Sequence, residues 1–235
     1  MDNDTMRYRK KTIHEKWDSS TAILSGDGIY TIAQIILNKI SKNFHSLSKY
    51  FNNTTLEICE GQALDKEFEN DNTITRKMYL DMVDKKTGSL LGASAALPII
   101  YNGGTDELVN TYEQFGRCLG KGFQIHDDLL EITTDSQTMG KSLGSDIIKG
   151  KQTIMVIMAR DNFPSEWEEL LHKSEQHTLL KNICSFFDKK GIIQEFNCRE
   201  ETIRVINNGL DTNEFTPIKE NKRISRTIPN MRLAK

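Results

Sequence analysis

The chain is a succession of apolar stripes at helical spacing, separated by short polar breaks. Ile29, Ile32, Ala33, Ile36, Leu37 and Ile40 fall at i, i+3, i+4, i+7, i+8 and i+11, one continuous apolar face. Leu108, Tyr112, Phe115, Leu119 and Phe123 repeat the pattern, and so do Leu179, Leu180, Ile183, Phe186 and Phe187. No segment sustains the alternation of a half-buried strand, so the pattern predicts an all-α protein. Breaks are predicted at Asn52-Asn53, Asn70-Asp71-Asn72, Asn102-Gly103-Gly104, the 133–151 segment and Pro164. Thr73 or Thr75 is placed to cap the helix that carries Tyr79 and Met82.

Composition narrows the reading without directing it. At 235 residues the chain can bury one sizeable core, and no internal repeat or low-complexity linker divides it. A single domain over 1–235 is therefore expected, with the basic stretch 219–235 as a solvated tail. A net charge of −2 points neither to nucleic acid nor to a membrane surface. No apolar run is expected to reach the roughly 20 residues of a spanning helix, and the polar start lacks the apolar core of a signal peptide. Cys59, Cys118, Cys184 and Cys198 are far apart and form no CxxC pair. They read as reduced thiols, which makes a cytoplasmic location the expectation.

The chemistry concentrates after Phe123. Asp127 and Glu131 stand at i and i+4 on one helix face, and Asp128 lies about 100° round from Asp127. Such carboxylates repel one another unless a cation intervenes; a solvated acidic face is the plain alternative. The flanking Phe123, Ile125, Leu129, Leu130 and Ile132 predict that the acids project from a largely buried helix, where carboxylates need partners. Gly140-Lys141, Gly144-Ser145-Asp146 and Gly150-Lys151 come next, bringing two lysines and a further carboxylate. Hard oxygens for Mg²⁺ beside lysines for leftover phosphate charge suit a metal-bridged diphosphate. The spacing is not GxxxxGK[ST], which argues against a nucleoside triphosphatase. Two earlier pieces add to the set. Gln62 and Asp65 share a helix face, and Lys86-Thr87-Gly88 reads as a helix break where an ammonium and a hydroxyl could meet a phosphate oxygen. His126 reads as a neighbour of the acids rather than a catalyst.

Taken in order, Gly61-Gln62-x-x-Asp65, Lys86-Thr87-Gly88, Phe123-Gln124-x-x-Asp127-Asp128-x-x-Glu131, Gly140-Lys141, Gly144-x-Asp146 and Gly150-Lys151-x-Thr153 resemble the trans-isoprenyl diphosphate synthases of the polyprenyl synthetase family. Thr12-x-His14 and the stretch from Ala22 to Asp27 also look like that family. The resemblance implies a helical bundle around a central cavity, in which two facing acidic motifs and Mg²⁺ (three ions in the intact family site) clamp an allylic diphosphate. Ionisation would give an allylic cation, which isopentenyl diphosphate attacks. The likeness assigns Asp2, Asp65, Asp127, Asp128, Glu131 and Asp146 to metal. It assigns Arg7, Lys86, Lys141 and Lys151 to the substrate diphosphate, and Lys86, Thr87 and Gln124 to the reacting centre. A homodimer is implied as well.

The likeness also departs from the family in one place. The family's first acidic motif is DDxxD followed by an Arg pair; Asp2 takes the place of its last Asp, Arg7 that of the first Arg, and Tyr8 that of the second. The resemblance therefore implies a member that begins inside its first motif and lacks its first helices. Apolar faces such as the one from Ile29 to Ile40 are then expected to be exposed and to drive association. A non-catalytic partner subunit of a prenyl synthase is the alternative from outside enzymology. A terpene cyclase-type enzyme of the same helical class is the alternative within it.

Overall fold

A computed structural model describes residues 4–7, 10–133, 147 and 150–197. Its regular elements are a minimal ribbon, β1 (Met6–Arg7) antiparallel to β2 (Lys10–Lys11), and then helices. These are α1 (Ile13–Lys16), α2 (Ser19–Asn38), α3 (Phe44–Glu67), α4 (Arg76–Val83), a π-turn (Asp84–Gly88), α5 (Ser89–Tyr101), α6 (Asp106–Thr133), α7 (Ile154–Asn162), α8 (Pro164–Lys173), α9 (Gln176–Lys189) and α10 (Ile192–Asn197). The all-α expectation holds, and the ribbon is the one strand pairing among the described residues.

Helix ends follow local chemistry. Asp18 accepts from the Thr21 amide at 2.7 Å, and Thr75, not Thr73, accepts from the Met78 amide. Thr73 is itself held by Asp71, through both its amide and its hydroxyl. Pro164 occupies the first turn of α8, where its missing N–H leaves nothing unpaired. Asn43 enters α3 in the left-handed region, and its side-chain amide donates to the Ile100 and Tyr101 carbonyls, closing the end of α5.

Two breaks expected from sequence do not occur. Asn52 and Asn53 lie inside α3: the Asn52 side chain accepts from Tyr30 and Gln34 of α2, and this tertiary bonding overrides a modest helix propensity. Lys86-Thr87-Gly88 is likewise no break. The chain stays helical but widens for one turn, so that the Ser89 amide donates to the Asp84 carbonyl five residues back.

Close backbone contact sets the spacing of the bundle. A Cβ on Gly61 of α3 would stand 2.3 Å from the Lys86 nitrogen, and one on Gly116 of α6 would stand 2.3 Å from the Leu91 carbonyl oxygen. A Cβ on Gly120 of α6 would stand 2.7 Å from the Gly88 Cα, so the π-turn is held between α3 and α6 at backbone distance and Gly116 holds the start of α5 in the same way. The main core lies beyond this junction. It joins Ile74, Val83 and Ile125 to Ile154, Ile157, Ile183 and Phe187, with Trp167 stacked on Phe187 at 5.8 Å.

Outside the core, apolar side chains stay in the open. Ile29 is 67 % exposed, and Ile32 and Ile36 of the same stripe are also exposed, as expected, while Leu37 is buried. Around the acids of α6 the expectation largely holds: Ile125, Asp128 and Leu129 are buried and Leu130 and Ile132 half-buried, while Phe123 is exposed. Farther back on α6, Phe115 and Leu119 are exposed, and the small Gly116 and Gly120 form the inner face. Among the described residues one helix, α2, is long and apolar enough to cross a membrane by length and composition alone. Asp27 and Gln34 within it weigh against that, because buried polar groups are costly in hydrocarbon.

Gly61→Ala tests the backbone contact. Helix propensity alone favours alanine by about 1 kcal/mol, whereas the clash with Lys86 is expected to reverse the sign and destabilise by about 1–3 kcal/mol. A urea titration that found the variant more stable would refute the contact.

Candidate diphosphate and metal site

Five segments meet at one small cavity of about 30 Å³, room for something the size of a water. Asp65 and Phe68 come from the end of α3, and Tyr79, Met82 and Val83 from α4. Lys86 comes from the π-turn, Gln124 and Asp128 from α6, and Lys151, Gln152 and Thr153 from the approach to α7.

Two sets of hydrogen bonds organise the polar lining. In the first, Lys86 Nζ lies 2.7 Å from Asp65 Oδ2, and Gln62 Nε2 donates to the same oxygen at 3.3 Å. The shared face expected for Gln62 and Asp65 is thus present, and it faces the lysine. In the second, Thr87 Oγ1 donates to Gln124 Oε1 at 2.9 Å, and Gln124 Nε2 donates to Asp128 Oδ1 at 2.9 Å. Tyr79 donates its hydroxyl to Asp128 Oδ2 at 2.6 Å. A carboxylate only accepts, so it fixes which end of the Gln124 amide faces it. The amide oxygen then faces Thr87 and takes the single hydroxyl proton. The threonine is left presenting lone pairs.

The sequence places Tyr79 on a helix but gives it no part in the site. The only available hint is a phenol at a core position, where a buried hydroxyl must find a partner. Burial holds this phenol well above its ordinary range, reinforced by the charge of Asp128 and its bond, and then by the charges of Asp65 and Asp127. Asp65 of α3 and Asp128 of α6 both line the cavity beside this phenol, so carboxylates of the two helices converge there.

Lys151 is placed by a clasp between distant segments. Asn70 and Gly150 both adopt left-handed backbone, and the Asn70 amide donates to the Gly150 carbonyl at 2.9 Å. A Cβ on Gly150 would stand 1.9 Å from Asn70 Oδ1, so glycine is required on two counts. Gln152 also donates to the Gly150 carbonyl, and Thr153 caps α7 through the Val156 amide.

Asp127 and Glu131 are half-buried on α6 beside this lining, while His126 is exposed, as a mere neighbour would be. Arg7 is exposed in the ribbon and is not part of the cavity lining. Asp2, Lys141, Asp146, Cys198 and the 219–235 tail lie outside the described residues. Among the described residues, no three carboxylate, imidazole or thiol groups stand together as a ready metal cage. The donors that do converge, Asp65 and Asp128, are hard oxygens. Mg²⁺ ordinarily takes one or two carboxylates and completes its shell with water and phosphate oxygens, so this donor set fits it.

Comparison with known proteins places the chain in a family. A geranylgeranyl diphosphate synthase of Methanosarcina mazei is 40% identical over 162 residues, 68% of this chain and 50% of that protein. The chain spans about half the length of several curated relatives it matches. The crystal structure of geranylgeranyl pyrophosphate synthetase from Pyrococcus horikoshii superposes with a TM-score of 0.76 at 30% identity, covering 88% of this chain and 64% of that one. A Helicobacter pylori geranyltransferase, solved in complex with magnesium and isoprenyl diphosphate, superposes with a TM-score of 0.60 at 25% identity over 80% of this chain and 66% of that one. The family profile for polyprenyl synthetase matches residues 1–186, and the chain belongs to that family, the trans-isoprenyl diphosphate synthases.

Proposed function

We propose that this chain performs isoprenyl chain elongation, joining an allylic diphosphate to isopentenyl diphosphate with release of pyrophosphate. The observation that carries this reading is the convergence of Asp65, Lys86, Gln124, Asp128 and Lys151 on one cavity, with Thr87 bonded to Gln124 beside it. The bond from the allylic carbon to the diphosphate oxygen breaks, and its electron pair leaves with pyrophosphate. The double bond of isopentenyl diphosphate supplies the pair for the new carbon–carbon bond, and a proton is then lost.

Lys86 and Lys151 hold the diphosphate, with Lys141 and Arg7 as further cations. Asp65 keeps the Lys86 ammonium oriented before substrate arrives. Asp65, Asp127, Asp128 and Glu131, with Asp2 and Asp146, hold Mg²⁺, which when bound neutralises the departing pyrophosphate. Thr87 and Gln124 direct oxygen lone pairs toward the developing cation, a preorganised dipole of the kind that stabilises charge without rearrangement. The exposed apolar side of α2 supports association, and we read the chain as one half of a homodimer. The same face also supports a second reading, in which the chain is a partner subunit of an active synthase.

The test is a Mg²⁺-dependent assay with isopentenyl diphosphate and geranyl diphosphate. A longer diphosphate is expected, and Lys86→Ala or Asp127→Ala is expected to lower turnover by about 10²–10³-fold. A hydrocarbon product would point to a cyclase, and no turnover from folded protein would leave the partner reading.

Tyr79 gives a pH prediction. Its folded-state pKa lies above the ordinary value near 10. The stability contributed by the protonated phenol is thus fully present below about pH 10 and is lost as pH rises through the folded value. Urea midpoints measured upward from neutral pH are expected to fall in alkali for the wild type more than for Tyr79→Phe. The variant itself starts lower by about 1–3 kcal/mol, because Asp128 loses a donor.

A further inference from the structure

Arg117 of α6 meets three carboxylates drawn from three elements. Nε lies 2.8 Å from Glu113 one turn back, Nη1 2.9 Å from Asp84 of the π-turn, and Nη2 2.6 Å from Glu57 of α3. The side chain is only 13% exposed. Lys121 adds a second cation 3.1 Å from Asp84 Oδ1, an enclosed atom that gains this ion pair without hydrogen-bond geometry. Burial raises the pKa of the Tyr50 phenol, and its hydrogen bond to Glu113 raises it further, which closes the cluster on that side.

These three elements are among the five segments that meet at the candidate site. From adjacent positions in the π-turn, Lys86 reaches Asp65 of α3 and Thr87 reaches Gln124 of α6. A π-turn carries one residue more than an α-turn and so rotates the residues after it by about 100° against an uninterrupted helix. Its local geometry is poor, and it persists where tertiary contacts hold it. Gly61 and Gly120 let the neighbouring backbones press on the turn, but such contact has no direction along the helix. The paired guanidinium and carboxylate do have direction, because the fork accepts carboxylates only in fixed places.

We propose that Arg117, acting through Asp84, is a positioning residue that sets the register of the π-turn and so presents Lys86 and Thr87 to a diphosphate. Glu57 lies eight residues before Asp65 along α3, about 12 Å away, and Arg117 seven before Gln124 along α6, so Arg117 acts from roughly two helical turns off, through Asp84, and touches no reactant. The role in presentation rests on the assignment of Lys86 to a diphosphate under the proposed function.

Two variants test it. Asp84→Asn is nearly isosteric and relieves a cluster of three carboxylates facing two cations. Arg117→Lys keeps the charge and loses the fork. Both are expected to melt near the wild type, yet to speed amide hydrogen exchange over residues 84–89 by about tenfold or more while α7 stays protected. Both are also expected to weaken binding of inorganic pyrophosphate with Mg²⁺, read by calorimetry, by about 10–100-fold. Unchanged exchange at the turn overturns the proposal. So does a uniform rise across the protein with a lowered melting temperature, which marks a merely structural role. Faster local exchange with unaltered pyrophosphate affinity also overturns it. If wild type and Lys86→Ala alike bind no pyrophosphate, the proposed function falls on its own, and the exchange result still decides whether Arg117 sets the turn.

Discussion

The arrangement depends on how closely three stretches of backbone approach. Gly61 of α3 and Gly116 and Gly120 of α6 leave no space for a side chain against residues 86–92. The distance between helices is consequently set by main-chain atoms, which do not change rotamer and compress little. Rigid spacing matters because the polar chemistry at the junction runs across it. The Lys86–Asp65 and Thr87–Gln124 bonds each span two elements, and a shift of about 1 Å would stretch both beyond hydrogen-bond range.

Charge is arranged on the same frame. Nearest the cavity, Lys86 is paired with Asp65, and Asp128 accepts from Tyr79 and Gln124, all from groups that line or border the open space. Two turns away, Arg117 and Lys121 are matched closely against Glu57, Asp84 and Glu113. The first set lies where a ligand can reach it, and the second works as a joint between elements, its charges matched within the protein.

The helical class and the identities of Asp65, Lys86, Thr87, Gln124, Asp128 and Lys151 are legible in the sequence. Each belongs to a short motif whose residue types already imply phosphate or metal, and the site unites most of them. Three things are not legible, each for a physical reason. The π-turn reads as a break, because a glycine after lysine and threonine looks the same in either case and only the flanking helices decide. The inner face of α6 is easily misread, because small residues carry little hydrophobic signal, so Phe115, Leu119 and Phe123 outweigh Gly116 and Gly120. Tyr79 and Arg117 escape notice because their partners lie 49 and up to 60 residues away in sequence, where no local spacing rule reaches.

The clasp between Asn70 and Gly150 bears on how this fold tolerates variation. It joins the end of α3 to the start of the Lys151 segment across about eighty residues, so the position of Lys151 is tied to α3 as well as to Ile147, whose carbonyl accepts from the Gly150 amide. Loop closure free energy grows only slowly with length. Closing so long a loop therefore costs little more than closing a shorter one, and the Asn70–Gly150 pair can hold the lysine from far along the chain. A substitution at Asn70 or Gly150 is thus felt at Lys151, across about eighty residues of sequence.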